Sequence, residues 1–132
     1  LINKLTLNDK VFLMGRVKNP YYFMKRSQFL VLSSKYVGFG NVLAEAMACG
    51  CPCISFDCPS GPSEIIDNNI NGLLVENQNI EKLTEAMQKL LDDENSRNRL
   101  SIEAKKIKDR YSIEKIASAW EDLIYKLTRT QI

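Results

Sequence analysis

The stretch Phe29–Gly50, FLVLSSKYVGFGNVLAEAMACG, decides how this chain folds. Phe29 to Ser33 is a short apolar run, as expected of a strand buried on both faces. Gly38 and Gly40 then mark a turn, since glycine permits backbone angles and close approaches that other residues forbid. From Asn41 to Cys49 the pattern is helical, and Gly50 stops the helix. On a helical wheel Val42, Leu43, Ala46 and Met47 share the core face. Asn41, Ala44, Glu45 and Ala48 form the opposite stripe, which is small and polar.

Similar units lie on either side. Lys10 to Met14 reads as a short buried strand, and Asn19-Pro20 starts a helix to about Arg26, with Asn as cap and Pro at the first helical position. Cys53 to Phe56 is a third strand. Pro59-Ser60-Gly61-Pro62 makes a turn, and Gly61-Pro62 opens a short helix through Ile66. Asn68 to Gly72 is another turn, and Leu73 to Val75 a fourth short strand. After Asn79 the chain is helical. Ile80, Leu83, Met87, Leu90 and Leu91 lie at helical spacing, and a second helix near Arg97–Arg110 carries Leu100, Ala104 and Ile107 on one side. Ser112 caps a third, whose long apolar stripe runs through Ile113, Ile116, Ala117, Trp120, Leu123, Ile124 and Leu127. Strands alternating with helices predict an α/β fold: a partial Rossmann-like parallel sheet of about four strands, with flanking helices and a helical C-terminal third. One domain accounts for residues 1–132. In such sheets ligands sit beyond the carboxyl ends of the strands, and the Val37–Asn41 turn occupies that place.

Composition narrows the function classes. A net charge of +2 on 132 residues is too small for a nucleic-acid surface. The first 66 residues hold 7 basic and 4 acidic side chains, so a mild positive bias sits on the half with the glycine turn. No apolar run approaches a membrane span, and no signal peptide is expected. The chain starts at Leu1 instead of Met and is expected to be a piece of something longer. It has no His, the commonest general base and metal ligand. Cys49, Cys51, Cys53 and Cys58 lack the paired spacing of zinc sites and read as reduced core or turn thiols, which fits a cytoplasmic protein. No metal and no cofactor are expected.

The chemistry of the glycine turn is that of an anion site. A helix beginning near Asn41 presents unpaired N–H groups and roughly half a positive charge at its start, so a diphosphate there would meet backbone donors. Glu45, flanked by alanines, is accessible and can accept two hydrogen bonds from vicinal ribose hydroxyls. The alternative is a solvated helix Glu beside an ordinary turn.

From Val11 to about Leu127 the chain resembles the C-terminal portion of a family 4 glycosyltransferase of GT-B fold. The matching pieces are Val11–Gly15, Phe29–Ser34, Gly38–Ala48, Cys51–Ser55 and Asn71–Val75, five in order. Asp57–Ile65 resembles a subgroup that builds bacterial surface polysaccharides. The resemblance implies a retaining enzyme that moves a sugar from a nucleotide donor, most simply UDP-linked, by front-side displacement without a metal. The acceptor would be lipid-linked or a polysaccharide, and the parent enzyme peripheral to the cytoplasmic face of the membrane. By the same resemblance Glu45 binds the ribose. Gly40, Asn41 and Val42 meet the diphosphate, Gly38 and Phe39 face the donor sugar, and Arg16 and Val17 lie near the base pocket.

Two departures from the family pattern bear on activity. The family places a first Glu eight residues before Glu45, and here that position is Val37, which cannot accept a hydrogen bond or stabilise positive charge. Losing one such transition-state contact costs on the order of 10²–10³ in rate. The family's Arg and Lys for the leaving diphosphate, its acceptor domain and the two central strands of its sheet lie upstream of Leu1. The Val11–Met14 strand is therefore expected either to pair directly with the Phe29–Ser33 strand, or to leave an edge filled by another chain, a swapped segment or a homo-oligomer. The Trp120 stripe is expected to fold onto its own sheet or onto a partner. Three readings follow: the donor-binding portion of a glycosyltransferase, inactive alone; a non-catalytic remnant that binds a nucleotide diphosphate or serves assembly; or an unrelated flavodoxin-like interaction domain.

Overall fold

A computed structural model describes residues 1–129. Its elements run α1 (Pro20–Met24), β1 (Leu30–Leu32), α2 (Asn41–Ala48), β2 (Cys53–Asp57), α3 (Pro62–Ile65), β3 (Leu73–Glu76), α4 (Ile80–Asp92), α5 (Glu94–Ala104), α6 (Ile107–Arg110) and α7 (Ile113–Arg129). The strands pair in the order β1-β2-β3, all parallel. Leu30, Val31 and Leu32 lie opposite Cys53, Ile54 and Ser55, and Ile54 to Asp57 lie opposite Leu73 to Glu76. Both crossovers are helical, as parallel pairing requires.

Strand alternation sorts the core into two layers. On one face Cys53 joins Met24, Leu43, Ala46, Met47, Cys51, Ile65, Ile66, Ala104 and Ile107, with Leu30 and Leu32 packed against them. On the other, Ile54 and Leu73 meet Ala86, Leu90 and Leu100, with Val31, Val75 and Leu83 alongside. Helix starts follow local chemistry. Asn79 Oδ1 accepts from the Lys82 N–H at 3.0 Å, and Asp93 Oδ1 from the Ser96 N–H at 2.9 Å. Ser112 Oγ accepts from the Lys115 N–H at 3.3 Å, so the expected cap of α7 is present. Asn19 makes no such bond, and Pro20 alone sets the start of α1.

Four expectations change. The sheet has three strands among the described residues, because Lys10–Met14 forms no strand and pairs with nothing. Its apolar side chains are exposed, Leu13 to 87%. A short apolar run becomes a buried parallel strand only where a neighbour supplies the ladder and layers cover both faces, and here neither is present. The Phe29–Ser33 strand contracts to Leu30–Leu32 and, as an edge, is half-buried. The single helix expected over Arg97–Arg110 is two, α5 and α6. Between them the Lys106 and Lys108 N–H groups bond to Glu103 and Lys105, three residues back, which tightens the turn and breaks the regular ladder. Leu100, Ala104 and Ile107 are still all buried.

The fourth change is α7, which buries no residue. Trp120 is 60% exposed, and the stripe does not fold onto its own sheet. No described helix is long and apolar enough to cross a membrane.

The contrast between α2 and α7 is measurable by urea denaturation. Leu43→Ala, at a fully buried position, should cost about 2–5 kcal/mol, whereas Leu123→Ala should stay within about 0.5 kcal/mol. Emission from Trp120 should match an exposed indole and shift little on unfolding.

Candidate functional site

Between β1 and α2 the chain passes through Ser33–Gly40 without regular structure. Gly40 sits at φ 87°, ψ 44° as the N-terminal flank of α2, with no side-chain cap. That left-handed conformation suits glycine, and the space does too. A Cβ on Gly40 would lie 3.3 Å from Val37 Cγ1, 3.4 Å from Leu43 Cδ1 and 3.6 Å from Ile65 Cδ1. The Gly40 carbonyl accepts from the Leu43 N–H at 2.8 Å, and the Asn41 and Val42 N–H groups have no acceptor among the described residues. They are the free donors of a helix start.

Glu45 lies one turn further along the same stripe, half-buried, with no hydrogen-bond or ion-pair partner for its carboxylate among the described residues. Asn41 is exposed and Ala44 and Ala48 are half-buried, while Leu43, Ala46 and Met47 are fully buried opposite. Val42, placed on the core face by the helical wheel, is half-buried at its margin. Residues four apart on a helix stand about 5–6 Å apart at Cβ, so Glu45 lies on the stripe of Asn41, one turn past the free amides at the start of α2.

The turn is braced from three sides. Asn77 Nδ2, after β3, donates to the Lys35 carbonyl at 3.4 Å, and its Oδ1 is buried without a partner. Ser60 Oγ donates to the Val37 carbonyl at 2.8 Å. Gly61, at φ 88°, approaches so closely that a Cβ would lie 2.4 Å from the Gly38 oxygen and 3.0 Å from the Phe39 oxygen. On the third side the Phe39 ring meets Tyr111 edge-on, centroids 5.4 Å apart, and the Tyr111 hydroxyl donates to the Glu64 carbonyl at 3.2 Å.

Of the residues singled out by sequence, Gly38, Phe39, Gly40, Asn41, Val42 and Glu45 lie together on this turn and the first turns of α2. Val37 ends the loop that leads to them, half-buried. Arg16 and Val17 lie elsewhere. Arg16 is exposed, and Val17 lines an apolar groove of about 390 Å³ with Met14, Phe23, Met24, Phe29 and Cys51. That groove is at the start of β1 and β2, the opposite end of the strands from the glycine turn. Sequence reading missed Ser60, Gly61 and Asn77 as supports. For the first two the signal was present, since a Ser-Gly step between two prolines was read as a turn, but the loop it touches lies more than twenty residues back.

The cysteines belong to the core. Cys51, Cys53 and Cys58 are buried, Cys49 is half-buried, and all four are free thiols. Cys53 Sγ donates to the Leu43 carbonyl at 3.8 Å and to the Cys51 carbonyl at 3.5 Å, and Cys58 Sγ to the Ser60 carbonyl at 3.5 Å. Burial, and after it the neighbouring Cys49, push the Cys51 thiol from 9.0 up to about 11. Burial and then Cys51 push Cys53 higher still. A thiol whose folded-state pKa is raised supports folding below its unfolded-state value and withdraws that support as pH rises through the folded one. The urea midpoint should therefore fall between about pH 9 and pH 11. A Cys51→Ala, Cys53→Ala double variant should flatten that decline, and at pH 8 a thiol reagent should label Cys49 first.

A family model described as "Glycosyl transferases group 1" matches residues 1–107. An uncharacterized glycosyltransferase of Methanocaldococcus jannaschii is 35% identical, the match covering 94% of this chain and 37% of the relative. The N-acetylgalactosamine-N,N'-diacetylbacillosaminyl-diphospho-undecaprenol 4-alpha-N-acetylgalactosaminyltransferase of Campylobacter jejuni is 36% identical, covering 80% of this chain and 29% of its own. Among solved structures, a mutant of S. aureus TarM in complex with fondaparinux, alpha-GlcNAc-glycerol and UDP aligns with a TM-score of 0.86 at 31% identity. That alignment covers 92% of this chain and 25% of TarM. The chain thus spans well under half the length of the curated relatives it matches.

Proposed function

The chain belongs to the glycosyl transferases group 1 family, and on that premise we propose that it is the donor-binding portion of a retaining family 4 enzyme. The observation that carries this reading is the start of α2, beyond the carboxyl end of β1, where the Asn41 and Val42 amides are free and the Glu45 carboxylate, one turn along, has no partner among the described residues. Amide donors at a helix start suit a diphosphate, and a free carboxylate one turn away suits a ribose diol. The TarM structure, which holds UDP, makes a uridine diphosphate the first donor to test.

In this reading Glu45 takes the ribose hydroxyls, while Gly40, Asn41 and Val42 meet the diphosphate. Gly38 and Phe39 address the donor sugar through their backbone, and Arg16 and Val17 serve the base once the rest of the parent enzyme completes the sheet. The sugar leaves its nucleotide with retention and without a metal, for a lipid-linked or polysaccharide acceptor. The name of the C. jejuni relative carries such an acceptor, a diphospho-undecaprenol. The parent works at the cytoplasmic face of the membrane. This chain, which spans 37% or less of the relatives described, is inactive by itself.

One observation favours a second reading, a non-catalytic module that only holds a nucleotide diphosphate. Val37 presents a methyl group beside Gly40, 3.3 Å from where a Cβ would stand there, at the position where the resembled family carries a carboxylate.

Titration with UDP and UDP-sugars, followed by amide NMR, tests both readings. Shifts at Gly40, Asn41 and Glu45 are expected at millimolar ligand. Their absence removes both. Glu45→Ala should weaken UDP roughly 10- to 100-fold, the range for losing hydrogen bonds to a charged group. Restoring the carboxylate with Val37→Glu in the full-length parent separates the readings: gained transfer supports the enzyme, and no gain supports the binding module.

A further inference from the structure

We propose that Ser60 and Gly61 are positioning residues of the nucleotide site, fixing the direction of its backbone donors from behind. The inference rests on the nucleotide-binding reading of the glycine turn and concerns what makes that turn selective for a diphosphate.

Three consecutive carbonyls, those of Val37, Gly38 and Phe39, face the Cys58–Gly61 segment. The first accepts from Ser60 Oγ at 2.8 Å, and the other two press against Gly61, where a Cβ would stand 2.4 Å and 3.0 Å from their oxygens. Among the described residues every peptide bond is trans. In a planar trans peptide the N–H points opposite to the preceding carbonyl. The N–H groups of Gly38, Phe39 and Gly40 are therefore turned away from Ser60 and Gly61, and they have no acceptor among the described residues. They continue into the free amides of Asn41 and Val42, so five successive donors are left without a protein acceptor. Such a run is a ready anion cradle only while its peptides are held from turning.

The Cys58–Gly61 segment is built to hold them. Cys58 is buried, and its thiol donates to the Ser60 carbonyl at 3.5 Å. Pro62 is fully buried at the start of α3. Gly61 is buried at φ 88°, a conformation that side chains avoid, and its missing Cβ is what lets the loop backbone approach. Any side chain there would push against the Gly38 oxygen and rotate the very peptides that aim the donors. Ser60, by contrast, is exposed and touches the site only through its hydroxyl, so its removal need not disturb the core.

The experiment compares UDP with uridine on the full chain, because only UDP uses the amide run while both use Glu45. Calorimetric or NMR titration of Ser60→Ala should show UDP weakened about fivefold with uridine unchanged, the loss of one hydrogen bond's worth of preorganisation. Ser60→Thr, which keeps the hydroxyl, should restore the UDP affinity. Gly61→Ala should lose at least tenfold in UDP affinity and should shift the Gly38 and Gly40 amide resonances without ligand. If Gly61→Ala does not fold, the Ser60→Ala and Ser60→Thr pair decides. An unchanged UDP-to-uridine ratio in Ser60→Ala overturns this proposal while leaving the nucleotide reading intact, and so do equal losses for both ligands. No binding of UDP to the unaltered chain overturns both.

Discussion

The packing of α2 onto β2 is the interaction on which the rest of this structure depends. Leu43, Ala46 and Met47 are each fully buried, and they meet Cys51, Cys53, Ile65 and Ile66 on one face of the sheet. Burial of large side chains of this kind contributes about 1.5–3 kcal/mol apiece. With that face committed inward, the helix has one rotational setting, which leaves Asn41 exposed and Glu45 half-buried, with Ala44 and Ala48 at the margin of the core. Glu45 is accessible because Leu43 and Met47 are not. Both ends of α2 are set by left-handed glycines, Gly40 at φ 87° and Gly50 at φ 81°. The Gly50 carbonyl is also taken by Ser101 Oγ at 2.7 Å, which ties the far end of α2 to α5.

The same packing explains which parts of the sequence could be read and which could not. The β1-α2-β2-α3-β3 series was legible, with boundaries shifted by only a residue or two, because each element carries its own signal. Apolar runs, Gly-Pro starts and the Asn68–Gly72 turn all act locally. The Lys10–Met14 segment was not legible, for it has the composition of a buried strand without the neighbours that make one. Strand identity is a property of the ladder, and four apolar residues cannot supply the missing side. The α7 stripe shows the same limit from the other direction. Its period correctly gave a helix capped by Ser112, but period alone cannot say what covers the apolar face, and here the fold leaves it open.

The candidate site divides along a similar line. Residues on α2 were found because helical geometry carries side-chain direction directly from sequence. Their supports were missed, since the contacts from Ser60 to Val37 and from Asn77 to Lys35 bridge 23 and 42 residues. Arg16 and Val17 were named by resemblance, and in this chain they stand at the other end of β1 from the turn. By the resemblance their place depends on two central strands of the family's sheet that the described residues do not contain, and the structure keeps them at the other end of β1.

Val37 is where these threads meet. Its carbonyl and its side chain have separate roles. The carbonyl accepts from Ser60 Oγ, a main-chain bond that does not use the side chain at position 37. The side chain is half-buried, and its Cγ1 lies 3.3 Å from where a Cβ on Gly40 would stand. The free amides from Gly38 to Val42 are backbone groups, and Glu45 stands on a helix fixed by its buried face. Neither depends on the side chain at position 37. On the proposed function, what Val37 removes is a charge toward the sugar, while the groups proposed to hold the nucleotide, the Gly38–Val42 amides and Glu45, are left in place. On that proposal, holding a donor and transforming it are separable, and the groups assigned to holding are the ones the packing of α2 brings together.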